Sequence, residues 1–527
     1  MENLSPYKSP KKEASRIPVK SGKTYKKILV ENIPTALTFD DVLMVPQHSD
    51  VNSRFDVSLE TKFSRTIPLK IPLVSSPMDT VTEDQMAIEM ARNGGLGVVH
   101  RFQSISDQAK MIAKVKRAET HVIIDPVTIN KNATLRELKE LIRFHKVNTF
   151  LVIESEYKQR LLDYPTRKKS EINDELIGIV TNRDIRSSLS DGCLISEIMT
   201  PRDKLIVFEI SGFNFPKAEV LIKLMSEKKI EKIPLVSSKN EIMGLVTMKD
   251  IIRIRERPTA NIDNSGQLFV GGSVGAKEDF EERSQALIDA GCDVLVVDIA
   301  NGHSQLCIDT VQTLKDRFPS VDIVAGSVAT GEGAEKLIRA GADGIRCGIG
   351  NGSICITRIV AGSGVPQLTA LFDTAPICKE YEIPLISDGG NRNSGNMCKA
   401  LGAGADCIML GRLVAGCEES PSKILYKEGK LTKVYRGMAG LGANISKSQR
   451  ISGKETVNAN FNAEGVEGYI PYAGPLKDVL NQFACGIRSG MSYSGSRTIS
   501  EHQERVKFIR ITHSGIHESG VHDIKQF

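Results

Sequence analysis

The chain has 527 residues, enough for about two to four domains, and 40% of them are hydrophobic and 25% charged, as in a soluble globular protein. A net charge of +5 is small for this length and does not indicate a nucleic-acid-binding protein. The ten cysteines contain no C-x-x-C pair, which predicts neither a disulfide scaffold nor a zinc site and favours a cytoplasmic protein. We expect no membrane partner, because no apolar run approaches the roughly 18 residues of a membrane span.

An α/β domain begins after a polar N-terminal segment. Residues 1–27 are rich in lysine, serine and proline, and this composition predicts a disordered tail. Residues 71–82 are typical of a buried strand that leads into a helix at 86–93, and 97–101 form a second strand. Strand, helix and strand in this order indicate a parallel α/β domain, of which residues 28–120 are the first part.

An internal repeat interrupts this pattern. Residues 178–185 (GIVTNRDI) and 244–251 (GLVTMKDI) each predict a strand that ends in Thr-x-x-Asp at the start of a helix. The threonine and aspartate side chains either cap the helices or hold the phosphate and ribose hydroxyls of a regulatory nucleotide. The residues concerned are Thr181, Asp184, Thr247 and Asp250.

The repeat indicates a pair of related modules across residues 121–257, divided into about 121–190 and 195–257. Its Gly-x-Val-Thr-x-x-Asp-Ile pattern resembles the cystathionine-β-synthase (CBS) module, which occurs in tandem. Residues 155–175 are polar and irregular, and we interpret them as a surface insertion in the first module.

The α/β pattern resumes in residues 258–527 with regular spacing. Strands are predicted at 294–299, 321–326, 344–348, 383–388 and 407–411, and helices between them at 286–291, 334–341 and 397–404. With the strands before the repeat, about eight strands fit a (β/α)₈ TIM barrel that contains an inserted module pair. A doubly wound open sheet is the alternative. Polar residues at the strand C-termini favour the barrel.

One glycine-rich stretch predicts a catalytic loop. Residues 348–357 (GIGNGSICIT) place Cys355 beyond alternating glycines, which suits a thiolate nucleophile beside a bound anionic or planar substrate. A plain turn with a buried cysteine is the other interpretation. In a barrel the loops after the strands share one face, where Asp388-Gly389-Gly390 and Gly411-Arg412 have the position of a phosphate site.

Four motifs together resemble the IMP dehydrogenase/GMP reductase family. They are SSPMD at 75–79, GNGSICIT at 350–357, SDGG at 387–390 and YRGM at 435–438. The inserted CBS pair also matches that family. The resemblance implies a purine nucleoside monophosphate as substrate, NADPH or NAD as cofactor, a bound K⁺ ion, and a homotetramer or octamer.

The resemblance also implies individual roles. Cys355 would attack C2 of the purine, with Thr357 and Glu419 as proton relay, although Glu419 alone is more typical of a solvated residue. Substrate contacts would come from Ser76, Met78, Ser353, Asp388, Gly389, Gly390, Gly411, Arg412, Tyr435, Arg436, Gly437, Met438, Ala439 and Glu464. The cofactor would face Asp298, Gly348, Ile349 and Gly350. Potassium would be held by Gly350, Gly352 and Cys355, with Glu518, Ser519 and Gly520 of a neighbouring subunit.

The direction of the reaction depends on a predicted flap at 440–463. The family's dehydrogenases activate water with an Arg-Tyr pair there, whereas this chain has Arg450 followed by Ile451, which has no proton to transfer. This favours a GMP reductase that uses NADPH over an IMP dehydrogenase that uses NAD. Arg101 departs from the reductase pattern, which has lysine at that position. A nucleotide sensor on a barrel scaffold is a third hypothesis, but the intact Cys355, Thr357 and Asp388 argue against it.

Overall fold

The computed structural model describes residues 33–118, 122–123, 126–145, 147–154, 174–187, 190–211, 216, 218–255, 259–277, 279–453 and 462–521. The chain forms two compact units, one of Met1–Ile112 with Phe269–Phe527 and one of Ala113–Leu268. The predicted tail at 1–27 lies outside the described residues, as do positions 155–173 of the predicted insertion.

The first unit is built on a closed barrel of eight parallel strands. In chain order these are β1 (Leu73–Ser75), β2 (Leu96–Val99), β3 (Val270–Val274), β4 (Val294–Asp298), β5 (Asp322–Val328), β6 (Gly344–Cys347), β7 (Leu385–Asp388) and β8 (Cys407–Leu410). The barrel closes where β8 pairs with β1, with Met409 opposite Val74. The predicted (β/α)₈ barrel is therefore confirmed.

Helices follow the barrel strands, as the crossover between parallel strands requires. They are Asp84–Arg92, Ile105–Ala118, Phe280–Asp289, Gln305–Arg317, Gly331–Arg339, Gln367–Glu380, Ser394–Gly402 and Leu476–Tyr493. Shorter or peripheral helices are Thr357–Val360, Arg412–Ala415, Leu441–Ser452, Ile499–Arg505 and His513–Glu518. Several begin at a side-chain cap: Ser304, Thr330 and Asn393 each accept a backbone N–H of the first turn.

Branched and apolar side chains fill the barrel interior. Val74, Val98, Val296, Val324 and Ile386 are fully buried in one cluster. Parallel strands covered on both faces read as continuous apolar runs, which is why most barrel strands were recognisable in the sequence. The exception is β3, whose Gly271 and Gly272 interrupt the apolar pattern.

Smaller sheets surround the barrel. A strand at Val42–Met44 pairs with Phe508–Arg510, and Thr61–Lys62 pairs with Pro68–Leu69. Three antiparallel strands, Ile424–Lys427, Lys430–Arg436 and Glu467–Pro471, form a sheet that carries the YRGM motif. This sheet brings Tyr435 and Arg436 beside Gly468 and Glu467.

The second unit contains two sheets of four strands. The first is ordered Thr200–Pro201, Gly178–Thr181, Thr149–Ile153 and Thr128–Asn130, and the second Phe208–Glu209, Lys232–Val236, Ile242–Thr247 and Val122–Ile123. Helices in this unit are Leu135–His145, Asn182–Ser187, Ile195–Ile198, Ala218–Lys228 and Met248–Arg255. Buried residues of both sheets share one cluster that includes Leu151, Ile179 and Leu245. The unit extends beyond the predicted module pair at 121–257 on both sides.

The Thr-x-x-Asp sequence of the first repeat forms a helix start. Asp184 Oδ2 accepts hydrogen bonds from the Thr181 backbone N–H at 2.7 Å and from Thr181 Oγ1 at 2.9 Å. These hydrogen bonds are those of a helix cap, which is one of the two roles that the sequence left open for the first repeat. In the second copy Thr247 ends its strand, and the Asp250 side chain lies outside the part of the chain that is described.

No helix within the described ranges combines the length and the hydropathy that a membrane span needs.

Candidate active site

The glycine-rich stretch 348–357 follows β6 and is fixed to the loop after β7. Gly348 has φ +148°, and a Cβ there would collide with the Asp388 carbonyl oxygen, so this position requires glycine. Asn351 Nδ2 donates to the same carbonyl at 3.1 Å, and the Gly390 N–H donates to the Asn351 carbonyl at 3.2 Å. The cysteine loop and the Asp388-Gly389-Gly390 loop therefore form one structure.

Cys355 begins a chain of three polar side chains. The thiol Sγ donates to Thr357 Oγ1 at 3.1 Å, and Thr357 Oγ1 donates to Glu464 Oε2 at 2.8 Å. Cys355 is half-buried, so a ligand can reach its sulfur. A hydroxyl between a thiol and a carboxylate can pass a proton between the carboxylate and a group bound at the sulfur.

Backbone pairing places Glu464 at this position. The Ile356 N–H donates to the Glu464 carbonyl at 2.9 Å, and the Val466 N–H donates to the Ile354 carbonyl at 3.0 Å. On the other side, the Glu464 N–H donates to the Ala439 carbonyl at 3.0 Å. Three segments distant in sequence thus lie side by side, and they unite the predicted residues Gly437, Met438, Ala439 and Glu464 with Cys355.

The predicted relay between Thr357 and Glu419 is wrong. Glu419 Oε2 accepts the N–H of Leu476 at 2.9 Å, at the start of helix Leu476–Tyr493. Burial raises the pKa of Glu419, which lines a cavity with Glu83, Glu89 and Glu418. Because Thr357 donates to Glu464 instead, the carboxylate of the proton chain lies 107 residues from its hydroxyl in sequence.

Hydroxyl groups gather around Gly411, at the predicted phosphate end of the site. The Tyr435 hydroxyl donates to Met78 Sδ at 3.8 Å, and the Ser353 side chain and the Arg412 backbone act to lower its pKa. Burial raises the pKa of Tyr435 to about 12, so the phenol remains a donor at neutral pH. A Cβ on Gly411 would lie 2.8 Å from Tyr435 Oη and 3.5 Å from Ser76 Oγ.

Ser76 is a donor that lacks an acceptor. Its Oγ is buried and has no hydrogen-bond partner among the described residues. Buried hydroxyls are nearly always paired, so this one is suited to a ligand atom that would lie near Gly411. The observation fits the predicted substrate contact of Ser76.

Arg436 is engaged within the protein. Its Nε donates to Asp79 Oδ2 at 2.9 Å, and its Nη2 donates to the same oxygen. Asp79 is buried, and its backbone N–H faces Met438 Sδ at 3.3 Å. The guanidinium therefore ties the strand Lys430–Arg436 to the loop after β1, rather than projecting into the site as a predicted substrate contact.

Arg346 is a site residue that the sequence did not reveal. It lies in β6, is 5% exposed, and donates through Nη2 to Asp298 Oδ1 at 2.6 Å and through Nε to Ser327 Oγ at 3.1 Å. Its Nε also lies 3.6 Å from Asp388 Oδ2. One buried cation thus holds the predicted cofactor carboxylate and the predicted ribose carboxylate.

The two carboxylates beside Arg346 differ in protonation behaviour. Burial alone would raise the pKa of Asp298, but the Arg346 and Arg101 guanidinium groups bring it below its usual value. Burial raises the pKa of Asp388 above its usual value, although Arg346 acts in the opposite direction. Asp298 is therefore the firmly ionised member of the pair.

Arg450 lies on helix Leu441–Ser452 and binds Glu83. Its Nη1 donates to Glu83 Oε1 at 2.8 Å, and the same oxygen accepts from His100 Nε2 at 3.2 Å. His100 Nδ1 accepts the Phe102 N–H at 3.1 Å, so Nε2 carries the imidazole proton. Ile451 is exposed, and positions 454–461 of the predicted flap lie outside the described residues.

The predicted potassium site stays a prediction. The Gly352 carbonyl accepts the Cys355 N–H at 3.1 Å, and the Ile349 carbonyl accepts the Val365 N–H at 3.3 Å. Glu518 ends helix His513–Glu518, and the Ser519 and Gly520 N–H groups donate back to that helix. Within the described ranges, no group of three His, Cys, Asp or Glu residues is suited to a metal ion, a test that does not address carbonyl ligands.

Comparison with known proteins places these motifs in one family. The model of the IMP dehydrogenase / GMP reductase domain matches residues 36–522. GMP reductase of Leishmania donovani is 45% identical over 501 residues, covering 94% of this chain and 98% of the relative. Inosine-5'-monophosphate dehydrogenase of Nitrosopumilus maritimus is 44% identical over 491 residues, covering 93% of this chain and 98% of the relative.

A solved structure also supports this family. A cysteine-to-alanine variant of Trypanosoma brucei GMP reductase, in complex with guanosine 5'-monophosphate, superposes with a TM-score of 0.79 at 42% identity. That match covers 94% of this chain and 99% of the other. The family model covers the barrel and the catalytic loop together, so the chain belongs to the IMP dehydrogenase/GMP reductase family.

Proposed function

We propose that the protein is a GMP reductase, which converts GMP to IMP and ammonia with NADPH. The observation that carries this proposal is the hydrogen-bonded chain from Cys355 through Thr357 to Glu464. It joins a nucleophile to a proton donor at the point where an amino group would leave C2 of a purine.

The first step is deamination. The Cys355 thiolate forms a bond to C2 of GMP, and the exocyclic nitrogen takes one proton through Thr357 from Glu464. The C2–N bond then breaks and ammonia leaves with the bonding electron pair, so that a covalent thioimidate remains. Covalent catalysis of this kind divides one difficult substitution into two easier steps.

The second step is reduction. A reduced nicotinamide, when bound, supplies the hydride that C2 accepts. The C2–S bond then breaks and its electron pair returns to Cys355 as thiolate. One proton and one hydride are consumed for each ammonia released, so the overall reaction balances.

The residues beside the thiol chain fit such a cofactor. Among the described residues, the buried Arg101 Nε has no hydrogen-bond partner, and the Arg101 guanidinium acts on the Asp298 carboxylate. An unpaired guanidinium N–H beside a firmly ionised carboxylate can hold ribose hydroxyls or a phosphate. Asp298, Arg101 and the Gly348–Gly350 segment would hold the cofactor, with NADPH favoured by the reductase assignment and NAD as the alternative.

Helix Leu441–Ser452, in the predicted flap, bears on the direction of the reaction. Hydrolysis of the adduct would need a side chain that activates water, and the Arg450 guanidinium is bound to Glu83. The next residue is Ile451, whose side chain can neither donate nor accept a proton. Both observations support amine release and reduction over hydrolysis.

IMP dehydrogenase is the second candidate. It is favoured by the Nitrosopumilus maritimus relative, which is nearly as similar to this chain as the Leishmania GMP reductase. Under that assignment the same Cys355 adduct would form from IMP with hydride transfer to NAD, and water would complete the reaction to XMP.

Further parts of the assignment are proposals of the same kind. We propose a homotetramer or octamer with K⁺ at the Gly350, Gly352 and Cys355 carbonyls, completed by Glu518, Ser519 and Gly520 of the neighbouring subunit. The second unit would be a CBS pair that binds regulatory purine nucleotides. All ten cysteines are free thiols, which agrees with a cytoplasmic location.

The test is a comparison of two assays on the purified full-length chain. With GMP and NADPH we expect the absorbance at the nicotinamide band to fall as ammonia appears, and with IMP and NAD we expect little change. A Cys355→Ala variant should be inactive in both assays. Formation of NADH from IMP, without oxidation of NADPH by GMP, would establish the dehydrogenase instead.

A further inference from the structure

Lys433 is a lysine buried in an unusual setting. It lies on the strand Lys430–Arg436 and is 1% exposed. Its Nζ donates to three main-chain carbonyls, those of Cys417 at 2.7 Å, Ser420 at 2.9 Å and Glu418 at 3.2 Å. Within the described residues no carboxylate forms a salt bridge with it. The three carbonyls therefore use all three donors of the ammonium group.

A buried ammonium is stable only if its hydrogen bonds are complete. The turn Cys417–Ser420 directs its carbonyl oxygens at one point, much as main-chain carbonyls surround a bound cation. Removing the ammonium group would leave these oxygens buried without a donor, which is destabilising for each group. The charge on Lys433 therefore holds the turn and the strand together.

The two segments that Lys433 joins both contribute to the proposed phosphate site. Lys433 and Tyr435 are two residues apart on one strand, and both side chains are buried. A Cβ on Gly411 would lie 2.8 Å from Tyr435 Oη, so the phenol packs against the chain that leads into Arg412. The turn at Cys417–Ser420 directly follows helix Arg412–Ala415, so the ammonium connects the strand of Tyr435 to the chain that continues from Gly411 and Arg412.

We propose that Lys433 is a positioning residue for nucleotide binding, an internal cation that fixes Tyr435 against Gly411 and Arg412 and thereby sets the affinity for the 5'-phosphate. The inference rests on the proposed function only in assuming that a purine nucleoside monophosphate binds here. It assigns the residue no contact with the reacting atoms.

The first test is a Lys433→Met variant of the full-length chain, whose side chain has similar volume and no charge. We expect the Kd of GMP, measured by calorimetry without cofactor, to rise at least tenfold, while kcat at saturating nucleotide changes less than threefold. A Lys430→Met variant is the matched control, because Lys430 is exposed on the same strand, and it should bind as the wild type does.

The second test is chemical rescue. A Lys433→Ala variant lacks the atoms of propylammonium, so this cation at millimolar concentration should restore GMP affinity by at least fivefold. The filled site of Lys433→Met should not respond.

Two results would overturn the inference: wild-type affinity for GMP in Lys433→Met, or no gain from propylammonium in Lys433→Ala. These results are distinct from a failure of the proposed function. In that case the wild-type chain itself would bind neither GMP nor IMP in the same calorimeter.

Discussion

Thr357 is the residue that connects the nucleophile with its proton source. Because its hydroxyl is hydrogen-bonded to both Cys355 Sγ and Glu464 Oε2, a Thr357→Val variant keeps the shape of the side chain and removes the connection. General acid catalysis contributes about 10²–10⁴-fold, so we expect kcat to fall about 10²-fold or more, with a small change in KM. Steady-state kinetics with varied GMP would measure both constants.

A matched control is Thr313→Val, since the Thr313 hydroxyl donates only to the Asp309 carbonyl of its own helix at 2.8 Å. It should retain wild-type kinetics. Full activity in Thr357→Val would remove the hydroxyl from the mechanism, and full activity in Glu464→Gln would remove the carboxylate.

Arg346 is a second single residue on which the site depends, because it holds two of its carboxylates. Replacing it by methionine leaves the partly exposed carboxylates of Asp298 and Asp388 beside one another without their common cation. Breaking a fully buried ion pair costs about 3–5 kcal/mol, and we expect a loss of up to this order in the free energy of unfolding by urea. Arg339→Met, which breaks an exposed pair with Glu335, should leave the free energy of unfolding almost unchanged. An equal loss of unfolding free energy in Arg346→Met and Arg339→Met would contradict the role of Arg346 as the common partner of the two carboxylates.

At the scale of elements, helix Leu441–Ser452 is attached to the barrel along one face. Arg450 binds Glu83, and three residues earlier Lys447 lies 5.4 Å from the centre of the Phe102 ring. Residues three apart share a helix face, so both contacts hold the same side of the helix. The loops after β1 and β2 therefore determine where this helix lies over the site.

Glu83→Gln should loosen this helix in a pH-dependent way. Burial alone would raise the pKa of Glu83, but hydrogen bonds from His100 and Arg450 lower it below the unfolded value. The stabilisation is therefore present above the unfolded pKa and is lost as the pH falls through the lower folded pKa. Losing one charge-assisted hydrogen bond of about 1 kcal/mol makes local opening several-fold more frequent. At pH 7 we therefore expect the amide hydrogens of residues 441–452 to exchange about three- to tenfold faster in the variant than in the wild type.

The control for Glu83→Gln is a variant that removes a different ion pair, far from this helix in sequence. Glu281→Gln removes an exposed partner of Arg317 and should leave exchange in 441–452 unchanged. As the pH falls below about 4.5, wild type and Glu83→Gln should converge. A difference between them that grew towards low pH would have the wrong sign for this ion pair.

At the scale of the whole molecule, the barrel is closed without the inserted unit. Strands β2 and β3 flank the insertion in sequence and pair directly, with Gly97 opposite Val270. Replacing residues 120–260 by a short glycine-serine linker should therefore leave a folded barrel with kcat within about threefold of wild type, because each proposed catalytic residue lies outside the deletion. Circular dichroism and the GMP assay would check this, and loss of the fold would show that the barrel depends on the insert.

The barrel could be predicted from sequence because its strands are apolar runs that alternate with helices. The strand β3 could not, since Gly271 and Gly272 resemble a turn when their neighbours are unknown. The glycines are required by packing: a Cβ on Gly272 would lie 2.8 Å from Leu287 Cδ1. Local pattern thus identified the fold and missed a strand whose glycine is required by packing against a helix.

The site was predictable where function depends on a contiguous motif, as in the loop that carries Cys355 and Thr357. It was not predictable where partners are distant in sequence. Glu419 was placed beside Thr357 although Glu464 holds that position, because strand pairing between 354–356 and 464–466 leaves no local signal. Arg346 and Lys433 were missed for a related reason, since a single charged residue within a strand is normally exposed.

The central claim, that Cys355, Thr357 and Glu464 expel the amino group of GMP, is tested most directly with GMP labelled with ¹⁵N at the exocyclic nitrogen. On incubation with NADPH and the full-length protein, we predict one labelled ammonium and one IMP for each NADPH oxidised. No labelled ammonium from GMP, together with NADH formation from IMP and NAD by the same preparation, would contradict the account.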